Sequence, residues 1–157
     1  MKSQHLKQRK NRRSGTGLVE FALVAPVLMG LLMIIIDFGM LQRNVLVISN
    51  AAREGARAAS LGQSTANIRT RVINAATPPL QVNSVGTITN GSVVMEHGTA
   101  PSSGTTSYES WPADVGGKNG VLEGRYVRVT VNYQHVSITR VFNRTISVPV
   151  AMQREGA

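Results

Sequence analysis

A chain of 157 residues has room for one ordinary domain and a short accessory segment. Its formal charge of +9 would suggest a nucleic-acid partner if the basic residues lay along a folded face. Six of the 17, however, stand before Ser14 (Lys2, Lys7, Arg9, Lys10, Arg12 and Arg13), which leaves 11 basic against 8 acidic side chains beyond Gly15, so no nucleic acid is expected. With no cysteine, a disulfide framework, a thiolate metal site and a cysteine nucleophile are all excluded.

The first predicted element is a helix that crosses a membrane. From Leu18 to Ile36 the chain reads LVEFALVAPVLMGLLMIII, nineteen residues with Glu20 as the single charge. At 1.5 Å per residue such a helix covers roughly 28 Å, close to the hydrocarbon thickness of about 30 Å. Basic residues precede the run, Asp37 closes it, and the next basic residue is Arg43, so the positive-inside rule keeps the N-terminus cytoplasmic. A secretory signal peptide fits less well. Its small-residue cleavage site should follow the apolar run closely, whereas the small-x-small triplet Ser49-Asn50-Ala51 lies well beyond Ile36.

A plain anchor would explain the apolar run but not the residues at its entrance. Arg12-Arg13-Ser14-Gly15 is followed by Thr16-Gly17-Leu18-Val19-Glu20-Phe21, so a basic leader ends in glycine and an acid stands five positions later. This resembles the processing site of type IV prepilins, in the Gly-x-x-x-x-Glu-Phe form of the tight-adherence (Tad or Flp) branch. The resemblance implies a membrane aspartyl peptidase that cuts between Gly15 and Thr16, with Glu20 and Phe21 as part of its recognition site. Each residue type has a physical reason. Glycine admits strained backbone and close approach, and is expected here to interrupt the helix before the cut. Cleavage creates an ammonium on Thr16, which Glu20 can neutralise one helical turn away or on a neighbouring subunit; an unpaired carboxylate deep in a bilayer costs about 2.5 kcal/mol or more. The competing structural reading places Glu20 in a first helical turn, where the macrodipole favours an acid. Gly15-x-Gly17 is no dinucleotide loop, because Glu20 takes the place of the third glycine and no strand precedes it.

Beyond Asp37, small and apolar residues recur as Phe38, Leu41, Val45, Ile48, Ala52, Gly55 and Ala59, with gaps alternating between three and four. They predict a continuous helix from Thr16 to Leu61, roughly 69 Å long, kinked or locally unwound at Pro26 and stopped at Gly62. The stripe, with Glu20, is expected to serve helix packing, either on the protein's own domain or between subunits. Glu54 and Arg57 are spaced to pair across a turn. The stretch Asn50-Ala51-Ala52-Arg53-Glu54-Gly55-Ala56-Arg57-Ala58-Ala59, together with Val19-Glu20-Phe21-Ala22-Leu23, Pro26 and Asp37-Phe38-Gly39, resembles TadE-like proteins, minor pseudopilins of the same system, over about residues 14 to 62.

The remainder is read from pattern. Ser64 can cap a short helix through Ala76, with Pro78-Pro79 forbidding continuation. The period then changes to two over Val127 to Tyr133 and Ile146 to Met152, which predicts antiparallel strands, with weaker ones near 82–88 and 92–97 and Pro149 marking an edge. Residues 98–120, rich in Gly, Ser and Thr, read as a mobile loop carrying Tyr108 and Trp111, where an exposed aromatic would mark a binding site, although a side chain folded back on the sheet is the favoured reading.

The organisation expected is therefore α+β: a leader over 1–15, a transmembrane helix over 16–37, an extracytoplasmic helical extension over 38–62, and a small outer domain over 63–157 packed on the outer half of the helix. His97 and His135 have no acid at triad or metal-ligand spacing, and no catalytic motif, metal site or cofactor site is expected. The resemblance implies a non-enzymatic pilin-like subunit in the bacterial inner membrane. Its partners would be a prepilin peptidase, other pilin-like subunits and the pilus assembly machinery. The alternative is an unprocessed, membrane-anchored extracytoplasmic binding protein.

Overall fold

The computed structural model describes residues 14–80, 92–99, 106–140 and 143–156. The chain divides into two compact units, Met1–Ile36 and Asp37–Ala157, and one helix, α1 (Ser14–Ser60), begins in the first and ends in the second.

In the first unit α1 is apolar on every side. Leu18, Phe21, Leu23 and Val27 are each about 70% exposed, and every other residue of the run is exposed or at most half-buried. The helix is long and apolar enough to cross a membrane, and none of its most apolar stretch is buried within the chain. Two expectations are corrected here. Gly15 does not interrupt the helix but lies in its first turn, where N–H groups lack intrahelical partners in any case and its flexibility goes unused. Of the two outcomes expected at Pro26, a kink or local unwinding, the unwinding does not occur, since the residue lies within continuous helix. Its fixed φ is helical, so the cost falls on the missing N–H that would have paired with the Ala22 carbonyl.

In the second unit α1 becomes amphipathic and buries one face. Ile48, Ala52 and Ala59 have no exposed surface, Leu41 and Val45 pack partly buried against the same core, and Phe38, at the start of the stripe, stays half exposed. Full burial of an isoleucine such as Ile48 stabilises by about 1.5–3 kcal/mol. The helix stops where the sequence places the stop. Gly62, at φ +76°, makes the left-handed turn of a Schellman cap, with Gly62 N–H donating to Ala59 O and Gln63 N–H to Ala58 O. Two donors from elsewhere complete the cap: Asn119 Nδ2 donates to Ala59 O, and the buried Arg154 guanidinium to Ser60 O.

The second helix, α2, spans Thr65–Leu80 and starts as expected, with Ser64 Oγ accepting from Asn67 N–H. It runs past Ala76 through Pro78 and Pro79, correcting the earlier stop. A proline's φ is compatible with helical backbone, and the cost is that the Asn74 and Ala75 carbonyls lose the N–H donors that positions 78 and 79 would otherwise supply. Ile68, Val72 and Ala76 face the core.

Four antiparallel strands, β1 (Val93–Gly98), β2 (Tyr108–Ser110), β3 (Tyr126–His135) and β4 (Arg144–Gln153), pair in the order β2-β1-β3-β4. The alternation along β3 is strict: Val127, Val129, Val131, Tyr133 and His135 are buried, and the residues between them are not. Pro149 lies on β4, an edge strand, as read. The strand expected near 82–88 lies outside the described residues. Within 98–120 the structure places β2 and a bridge linking Gln63 to Lys118, so the described parts of that segment are tied into the fold and the reading of one long loop is corrected. Three elements meet at Gly55, where an added Cβ would lie 2.4 Å from Val72 Cγ2 and 3.2 Å from Val129 Cγ1.

Candidate processing and assembly surface

At the head of α1, residues from Gly15 to Phe21 are all exposed. Thr16 and Glu20 are four apart on one helix and so share a face one turn apart. An ideal Cβ on Gly15 or Gly17 meets nothing within 4 Å, and neither residue has a positive φ. Neither packing nor backbone conformation therefore requires glycine at position 15, and any demand for it comes from outside the folded chain.

Of the residues expected to form the packing stripe, Leu41, Val45, Ile48, Ala52, Gly55 and Ala59 come together on the core of the second unit, while Glu20 and Phe38 are not among them. Small side chains at 52, 55 and 59 let α1 approach α2 and the sheet closely. Glu54 does not pair with Arg57. It reaches Arg71 on α2 at 2.8 Å, because Glu54 stands on the flank of α1 facing α2 while Arg57 points to solvent.

Sequence reasoning missed a polar anchor at the start of this unit. Asp37 has no exposed surface, and its carboxylate accepts Ile138 N–H at 2.9 Å, Thr139 N–H at 3.1 Å and the Thr139 hydroxyl. The acid that closes the apolar run thus binds the backbone just after β3. About two turns further along α1, the Asn44 amide donates to His135 Nδ1 at 2.9 Å at the end of β3, while His135 Nε2 is buried without a partner. Burial pushes the His135 imidazole below its usual pKa, partly offset by the Asp37 carboxylate. The signal for Asp37 was present in the sequence: an acid at the very edge of an apolar run is costly unless it finds donors.

At the N-terminus of α2, Asp114 accepts Thr65 N–H at 2.8 Å, and Trp111 Nε1 donates to Thr65 Oγ1 at 2.9 Å. Trp111 is therefore folded back, though against the helix start as well as the core. His97 lies 3.9 Å from Glu109, and no group of three or more His, Asp or Glu that could hold a metal occurs among the described residues.

No curated protein and no solved structure matches the chain. The resemblance to a known family covers the apolar head of α1 and most of its amphipathic part, ending before the helix does, so α2 and the sheet lie beyond it. Residues 15–57 match the model of the TadE-like protein family, and over that segment the chain is TadE-like, as its residues suggested.

Proposed function

We propose that the protein is a minor pseudopilin of a Tad/Flp-type pilus. It is inserted in the bacterial inner membrane with its N-terminus in the cytoplasm, trimmed between Gly15 and Thr16 by a prepilin peptidase, and used with other pilin-like subunits to assemble the filament. The match to the TadE-like family, whose context is Tad pilus assembly, carries this reading. The exposed apolar helix supports the membrane, and the placement of Gly15 supports the peptidase. The bond after Gly15 is open to solvent, and the glycine has no packing duty that would account for it. After cleavage the Thr16 ammonium and the Glu20 carboxylate would stand one turn apart, and their pairing offsets the cost of carrying either charge into hydrocarbon. In this role the chain acts as substrate and building block and performs no catalysis of its own.

Gly15→Ala is the direct test. The substitution is sterically free in the folded chain, so the variant folds and reaches the membrane as the parent does, yet it should accumulate with residues 1–15 attached. If Gly15→Ala matures as fast as the parent, the peptidase reading fails. A parent chain that keeps its own leader would instead favour the membrane-anchored binding protein.

A further inference from the structure

The outer half of α1 has two faces, and only one is used by the fold. Opposite the buried residues Ile48, Ala52, Gly55 and Ala59 run Arg43, Leu46, Asn50, Arg53 and Arg57, all exposed. At 100° per residue these five positions lie within an arc of about 80°, and at 1.5 Å per residue they extend over roughly 21 Å. Their spacing of three, four, three and four is that of a seam between two helices. Leu46, 65% exposed, sits between the first and second arginines. The face carries three guanidiniums and no acid, and none of the three forms an ion pair among the described residues. A solvated helix face ordinarily mixes signs.

We infer that this face docks an acidic α-helix of a different chain. The claim rests on the pseudopilin reading, because it supplies the subunit against which the exposed face would pack. A second copy is a poor occupant. Self-packing along the seam would set arginine against arginine, and the chain has no matching acidic row to offer. Asp37 is buried on the 138–139 backbone, Glu54 binds Arg71, Glu96 binds Arg128, Glu109 lies between His97 and Arg125, and Asp114 caps α2. The other acids of the second unit, Glu123 and Glu155, lie in the turn before β3 and at the end of the chain, not in a row along a helix. The requirement is thus a partner helix with Asp or Glu at three- and four-residue spacing and room for Leu46. Arginine suits this role, since its planar fork binds carboxylates bidentately and loses little solvation.

A photo-crosslinking residue placed at Asn50 of the full-length chain, in membranes of its source cells, tests the inference when the crosslinked peptides are sequenced. The expected adduct is a helix of another chain with acids at that spacing. Arg53→Glu with Arg57→Glu should lower its yield at least tenfold, Arg53→Lys with Arg57→Lys should lower it less, and reversing the acids on the captured helix should recover the adduct with the Glu variant. Because both positions are exposed, an unchanged melting temperature of each variant separates lost docking from lost folding. An adduct with a second copy or with phospholipid, an adduct indifferent to charge reversal, or no adduct at all would overturn the inference. The N-terminal mass of the same sample keeps the two claims apart: a chain beginning at Thr16 without the adduct sinks the docking alone, whereas an intact leader sinks the pseudopilin reading.

Discussion

The two parts of α1 show how one helix can serve two environments. Before Ile36 its large side chains surround the axis and find nothing to pack on within their own unit. From Asp37 onward the apolar positions narrow to a stripe, shrink to alanine and glycine, and bury themselves against α2 and β3. A helix apolar all round requires an apolar solvent, while a striped one requires a neighbouring face. The boundary is marked by a single acid: Asp37 is fully buried and held by backbone donors.

Asp37→Ala should have the largest effect on the second unit. It removes the one acceptor shared by the Ile138 N–H, the Thr139 N–H and the Thr139 hydroxyl, and a hydrogen bond to a charged group contributes more than one between neutral groups. The melting temperature of the detergent-solubilised chain should fall, and amide exchange at 138 and 139 should accelerate, while insertion in the membrane is unchanged. An unaltered melting temperature would mean that the acid is a mere end to the span.

Gly55→Ala probes the striped part alone. The new methyl would meet Val72 Cγ2 at 2.4 Å, and overpacking of this kind destabilises by about 1–3 kcal/mol. By contrast Gly30→Ala, in the apolar part with nothing within 4 Å, should leave stability where it was. Thermal denaturation of the pair tests whether the two halves of α1 differ in the way their burial indicates.

A smaller effect is expected from pH. The folded state holds His135 neutral, with its pKa below the ordinary 6.5, chiefly through burial. Its contribution to stability is therefore complete above about pH 6.5 and is lost as pH falls through the folded-state pKa, since the unfolded chain then binds the proton more readily. Asp37 on α1 faces the same region and moderates the loss, and Arg144 is its cross-strand partner on β4. The melting temperature should drop between pH 7 and pH 5, and His135→Gln, which keeps an acceptor for Asn44, should flatten that dependence.

Much of this was legible because the sequence changes period at each transition. The unbroken apolar run, the alternation of three and four after Asp37, Gly62, and the period of two in β3 and β4 each correspond to one physical demand, and the structure meets them. What stayed hidden depended on contacts between distant residues. Asp37 and Thr139 are 102 positions apart, and Asn44 and His135 are 91. β2 is three residues long inside a segment of turn-forming composition and exists because β1 offers an edge. Pro78 and Pro79 misled because a proline pair reads as a stop, yet the proline φ is itself helical and α2 runs on to Leu80. At the candidate processing site the residues themselves were legible, but only the structure revealed that Gly15 is free of any packing role.

The membrane-embedded, trimmed N-terminus is the claim on which the proposed function rests, and the intact mass of the native protein tests it most directly. After alkaline washing of the membranes, the account predicts a polypeptide that stays in the pellet and begins at Thr16. A species of the full 16.8 kDa in the aqueous supernatant, beginning at Met1, would contradict it.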